Sequence, residues 1–171
     1  MTNNPSLFDD SQSGAEFSED RRYRYALWRI WDENKPLVMF IGLNPSTANE
    51  REPDPTITRV TNFAYDWGYG GFYMMNLFGI VSSKPEVLVS DPDPIGENDI
   101  WLEMISAKCK DVVFCWGVFK QARERAQEIK RRYPGAYCLK LTKEGHPWHP
   151  LYVKGDTKLI LFTPKIQSNG Q

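Results

Sequence analysis

Three stretches of this chain are apolar without a break: Leu37 to Ile41 (LVMFI), Phe72 to Met75 (FYMM) and Val112 to Trp116 (VVFCW). A strand with one wet face alternates polar and apolar residues, so an unbroken run demands cover on both faces. Each run ends near a polar loop, and helical patterns fill the intervals between runs. Strands alternating with helices define an α/β domain, here expected as three layers (α/β/α) with helices on both faces of a mostly parallel central sheet.

The flanking segments extend this plan. Residues 22–31 (RYRYALWRIW) carry aromatic and β-branched residues in rough alternation, and DENKP separates them from LVMFIG. The pattern predicts an N-terminal β-hairpin whose second strand is the central LVMFIG run. Asp54-Pro-Thr places an N-cap and a first-turn proline ahead of Ile57, Val60, Phe63, Ala64 and Trp67, a helix ending at Gly68. FYMMNLF is a strand interrupted by polar Asn76, and IVSSKPEVLVSDPDPIG is a long loop with one helical turn. Asn98 or Asp99 caps a helix through Ile100, Met104, Ile105 and Ala107. A basic helix from Phe119 to Tyr133, a fourth strand (AYCLKL) and a short fifth (KLILF, 158–162) complete the order.

Length and charge narrow the functional classes. A chain of 171 residues suits one core, since domains of ~100–150 residues bury about two-thirds of their unfolded surface. Residues 1–20 are acidic and polar, expected as a mobile tail, and 21–166 as one domain. With 21 basic and 22 acidic residues, no global field recruits nucleic acid or an anionic membrane. Cys109, Cys115 and Cys138 are odd in number and widely spaced, which fits reduced thiols in a cytoplasmic protein. No apolar segment approaches membrane-spanning length. Neither a P-loop nor a Gly-x-Gly-x-x-Gly pattern is present, and no cofactor is expected.

In parallel sheets ligands bind outside the carboxyl ends of the strands. Four strands here end in LNPSTA, NLFG, CWG and GHPWHP, which brings Asn44, Asn76, His146 and His149 to one edge. Asn44 can donate and accept without charge, or close an Asx-turn on its own loop. Ser46 and Thr47 are helix caps or donors to an anion. Asn76 inside an apolar strand needs partners, whether in the core or on a ligand's edge, because an unpaired buried amide costs roughly 1–3 kcal/mol. His146 and His149 lack the further ligands of a zinc site, so no metal is expected. A proline-stiffened histidine suits proton donation or oxyanion stabilisation, or a structural cap on a backbone carbonyl. Asp91 and Asp93 read as solvated turn residues, and the arginines after Phe119 as a solvated face.

In IGLNPSTA, FYMMNLF, VVFCWG and GHPWHPLY the chain resembles the uracil-DNA glycosylase-like superfamily. It is more closely similar to a bacterial and phage branch marked by LNPSTA and DPT, over most of Tyr23 to Val153. The resemblance implies that Asn44 positions an attacking water, Asn76 reads the edge of a base, and His146 stabilises the departing base. Leu43, Pro45, Ser46, Phe78 and His149 are then expected around the base. Trp148 and His149 stand where the family has a small residue and proline, Ser46 replaces a glycine, and the catalytic aspartate of the fastest enzymes is missing. The function the resemblance implies is a base-recognising protein of N-glycosylase type (a hydrolase of modification or repair) acting on nucleic acid or a nucleotide. The rivals are a non-catalytic nucleic-acid or nucleotide-binding module and a phage-type partner-binding protein on the same scaffold.

Overall fold

The computed structural model describes residues 13–46 and 54–163. Residues 1–12 of the expected tail, Thr47 and Ala48 of the LNPSTA loop, and 164–166 of the expected domain lie outside the described residues. The strands are β1 (Ser13–Phe17), β2 (Arg24–Ile30), β3 (Leu37–Gly42), β4 (Gly71–Asn76), β5 (Asp111–Phe114), β6 (Tyr137–Cys138) and β7 (Ile160–Leu161). The helices are α1 (Pro55–Asp66), α2 (Val87–Ser90), α3 (Asn98–Ser106) and α4 (Arg123–Arg132). The sheet order is β1-β2-β4-β3-β5-β6-β7.

The sheet is mixed rather than mostly parallel. Strands β4, β3, β5 and β6 run parallel, whereas β1–β2, β2–β4 and β6–β7 are antiparallel. The doubly apolar runs occupy the parallel centre, as two-sided burial requires. The expected hairpin between 22–31 and LVMFIG does not form. Ile30 and Leu37 both pair with Gly71, so β4 lies between β2 and β3. The link from Trp31 to Pro36 crosses the start of β4: Trp31 and Asp32 donate backbone N–H to the Gly70 carbonyl, and Gly70 donates to Pro36. The hairpin partner of β2 is β1, so Ser13–Phe17 of the expected tail is an edge strand.

Side chains alternate across the sheet into two cores. Val38, Phe40, Phe72, Met74, Val113 and Cys115 meet Ile57, Val60, Phe63 and Ala64 of α1. Met39, Ile41, Tyr73, Met75, Phe114 and Trp116 meet Leu88, Leu102, Ile105, Ala126 and Ile129 of α2, α3 and α4. Val38 to Ile41 are fully buried. Burying each such side chain contributes roughly 1.5–3 kcal/mol, which explains why this strand is central.

Helix α1 forms as its sequence dictates. The Asp54 carboxylate accepts from Ile57 N at 2.7 Å, Pro55 opens the first turn, and Gly68 takes φ +86° just past the end. Helix α3 departs from expectation. Asn98 is buried inside its first turn and makes no side-chain cap, while Ile100 and Met104 face solvent. The inward stripe is Asn98, Leu102 and Ile105, so a polar residue holds the first core position. The basic helix is not simply a solvated face either, since Arg125 is buried. Asp91 is the ion-pair partner of Arg22 rather than a free turn residue. All three cysteines are free thiols. Burial pushes Cys109 and Cys115 up to about 12 and Cys138 up to about 11. Among the described residues no helix is long and apolar enough to cross a membrane.

Candidate functional site

The carboxyl ends of β4, β3, β5 and β6 share one edge of the sheet, and the antiparallel β2 begins there. Beyond the strands, the segments after β3 and β4 stay joined. Leu77 N donates to Gly42 O at 2.8 Å, Phe78 N to Leu43 O at 3.0 Å and Ser82 N to Pro45 O at 3.0 Å. Asn44 Nδ2 donates to Pro45 O (3.1 Å) and Ser82 O (2.9 Å), clamping the two loops. Its amide nitrogen is thus used by the protein, and Oδ1 is the atom left to accept from a ligand or water.

Asn76 is the last residue of β4 and pairs with Gly42 of β3. Strand alternation turns its side chain toward α1, on the side of Met74. The absence of a side chain at Gly42 is what admits it: a Cβ there would stand 2.9 Å from Asn76 Oδ1 and 2.7 Å from Met74 Cε. Asn76 is only 3% exposed, and its amide makes no hydrogen bond among the described residues, yet it is not among the sealed side-chain atoms and stays reachable from outside. Its backbone is fixed from the other face, where Asn98 Nδ2 donates to Asn76 O at 2.7 Å and to Leu77 O at 3.3 Å.

Arg24 opens β2 on the same edge. The β1–β2 register slips between Glu16 and Phe17, so Tyr25 is an extra residue, and Tyr23, Tyr25 and Ala26 all enter the α2–α4 core. This bulge turns Arg24 toward α1, with Leu27. Arg24 is 5% exposed, and its Nε is sealed without an acceptor. Burial pulls its guanidinium down to about 10, opposed by the charge of Asp54. Asp54 makes no ion pair with it: Oδ1 caps Ile57 N and Oδ2 accepts from Ser46 Oγ at 3.2 Å. A buried cation without a contact partner costs several kcal/mol in order of magnitude.

The two histidines separate. His146 lies in a tight turn beyond β6, two strands over from β3, with its backbone exchanging hydrogen bonds with Thr142. His149 opens a 3-10 turn, Pro150–Tyr152, and its Nδ1 accepts from Leu151 N at 3.2 Å. Burial lowers the His149 pKa, and Asp54 opposes the shift. The charge of Asp54 therefore acts on both Arg24 and His149, while its one side-chain partner at the start of α1 is Ser46. Pro147 O accepts from Gly117 N, which ties the histidine loop to the end of β5.

Of the residues read from sequence, Ser46, Asn76 and His149 lie on the α1 side, with Asn44 and buried Pro45 in the clamped loop. Leu43 and Phe78 pack into the opposite core. Phe78 there lines a cleft of about 380 Å³ with Leu88, Gln121 and Arg125. Arg24 and Asn98 were missed. Arg24 looked like one polar position in an alternating strand, and only the bulge buries it; Asn98 looked like a cap. Among the described residues no group of three or more histidine, cysteine, aspartate or glutamate side chains is placed to hold a metal.

No curated protein and no solved structure matches the chain. Residues 24–151, from Arg24 through the 3-10 turn that His149 opens, match the model of a family described as protein of unknown function (DUF1643), and the chain belongs to that family.

Proposed function

We propose that this chain is a base-recognising, glycosylase-like protein that binds a uracil-like or modified base at the polar edge of its sheet and hydrolyses its N-glycosidic bond. The observation that carries the reading is the Asn76 amide, 3% exposed and without a partner among the described residues. An amide offers one acceptor and two donors, the complement of a base edge, and a bound base would relieve the cost of leaving it unpaired. In this reading Asn44 Oδ1 accepts from the attacking water while Nδ2 holds the loop. His146 donates to the base as negative charge builds on it, which acts mainly in the transition state.

The test is a panel of single- and double-stranded oligonucleotides and free nucleotides bearing uracil, hypoxanthine, mismatched thymine or hydroxymethylated bases, assayed for base release. Turnover should fall roughly 10²–10³-fold in His146→Ala with little loss of binding, as when a preorganised donor is removed. Asn76→Ala should relax the choice of base. One observation favours the non-catalytic alternative: the side chain of His146 has no partner among the described residues to fix its ring, whereas a catalytic histidine is normally oriented. Binding that depends on Asn76, with no release of any base, selects that alternative.

A further inference from the structure

We infer that Arg24 is the anion receptor of this edge and that its ligand is a terminal phosphate monoester, as on a nucleoside monophosphate. The inference deepens the base-recognition reading and rests on it for the ligand's other half; the anion half stands on Arg24.

The internal control is Arg125, the other buried arginine. Its Nε donates to Leu77 O at 2.8 Å, Nη2 to Asp99 at 2.6 Å and Nη1 to Glu128 at 3.2 Å. Arg24, equally buried, has no acceptor for its guanidinium among the described residues, and its Nε is sealed. The nearest evident carboxylate, Asp54, spends both oxygens on Ile57 N and Ser46 Oγ. The backbone carries an extra residue where this arginine turns inward, and of its guanidinium nitrogens only Nε is sealed, which leaves the Nη pair to an incoming anion. A guanidinium presents a planar fork that matches two oxygens of a phosphate. The negative charge of Asp54 is already matched by the amino end of α1, a 12-residue helix, which limits its repulsion of an incoming anion.

Burial also selects the form of the anion. A phosphodiester inside a strand carries chain on both sides and cannot follow its oxygens into the interior, whereas a terminal monoester can. Near balance of charge, 21 basic against 22 acidic residues, likewise disfavours a long polyanion, whose binding rests on many phosphate contacts. Strand β2 is the direct neighbour of β4, so a base at Asn76 and a phosphate at Arg24 belong to one small ligand spanning adjacent strands.

The experiment is calorimetric titration of the full chain with inorganic phosphate, deoxyuridine, deoxyuridine monophosphate, the four common deoxynucleoside monophosphates, and one oligonucleotide with and without a 5′-phosphate. At least one monophosphate should bind about 10-fold or more tightly than its nucleoside, and Arg24→Met should erase that difference. A free monophosphate that outcompetes the phosphorylated oligonucleotide identifies a nucleotide ligand; the reverse identifies a strand end. Inorganic phosphate held by the wild type and lost in Arg24→Met sustains the receptor even when no nucleoside binds, in which case base recognition alone has failed. A nucleoside that binds as well as its monophosphate overturns the receptor and leaves base recognition standing. So does a phosphate preference that survives Arg24→Met, and so does failure of every phosphate to bind. If Arg24→Met does not fold, Arg24→Lys decides: it keeps charge without the fork, and an unchanged phosphate preference in it overturns the inference.

Discussion

Arg24 and Arg125 are buried to nearly the same degree, 5% and 6% exposed, on opposite faces of one sheet. Arg125 is the hub of a closed network that reaches Leu77 O, Asp99 and Glu128, with Arg132 bonding Asp99 as well. It fastens α4 to α3 and to the end of β4. The side chain of Arg24 fastens nothing. A partial form of the contrast separates two asparagines: Asn98 spends its Nδ2 on two carbonyls of the β4 end, though its Oδ1 is sealed without a partner, while Asn76 keeps its whole amide unpartnered. The arginine of one face is bonded by the protein itself, whereas on the other face Arg24 Nε is sealed and the Asn76 amide is unpartnered. In the proposed reading, stability and ligand binding are divided between faces, with the α2–α4 side holding the strand ends and the α1 side receiving the ligand.

The largest expected effect tests that division directly. Arg125→Met removes the buried cation that bridges Leu77 O, Asp99 and Glu128 and leaves only the half-exposed Arg132 on the two carboxylates, and should cost about 1–3 kcal/mol; the partial exposure of Asp99 and Glu128 lets them rehydrate and keeps the loss below that of a fully buried pair. Arg24→Met should cost nothing or raise the urea midpoint, since it removes an unpaired buried charge. Chemical denaturation of both variants settles the matter. Equal losses would make Arg24 a structural residue and dissolve the comparison.

The asparagine pair gives an intermediate effect. Asn98→Ala removes both bonds to the β4 end and should cost about 1–3 kcal/mol, whereas Asn76→Ala should cost less than about 1 kcal/mol while weakening ligand binding and relaxing the choice of base. Gly42→Ala joins the two readouts, because its Cβ would press on Asn76 Oδ1 and Met74 Cε and displace the amide. It should weaken ligand binding as Asn76→Ala does, with a stability loss of about 1–3 kcal/mol from overpacking. Gly42→Ala binding at wild-type strength would show that the amide does not face the ligand.

What could be read from the sequence follows from which forces are local. The doubly apolar runs and the cap at Asp54 are set by nearby residues, so the parallel centre and α1 were legible. The hairpin was not, because RYRYALWRIW and LVMFIG carry no information on which strand enters between them; that depends on β4, over 30 residues on. Arg24 was illegible for a related reason, since a bulge defined by the register with β1 reverses the alternation on which face assignment rests. Asn98 was misread because a buried asparagine and a capping asparagine look alike until the partner carbonyls are in place. Asn76 was legible as an anomaly, a polar residue closing an apolar strand.

The smallest effect concerns the two histidines and the pH. His149 caps its 3-10 turn through Nδ1, which must be unprotonated to accept from Leu151 N, and burial further disfavours its charged form despite Asp54. Its folded pKa therefore lies below the unfolded value near 6.5. For a group so depressed, the unfolded chain binds the extra proton, so stability is complete above about pH 6.5 and declines as the pH falls through that value toward the folded pKa. The decline should be shallow, because the ring is only partly buried. His149→Asn retains a capping oxygen without a titrating ring, and should match the wild type at pH 7.5 yet lose this decline between pH 6.5 and 5. His146→Asn, which alters no cap, should leave the decline intact. A wild-type slope that persists in His149→Asn would place its source elsewhere, and one abolished by His146→Asn would reverse the roles that the two turns give to these rings.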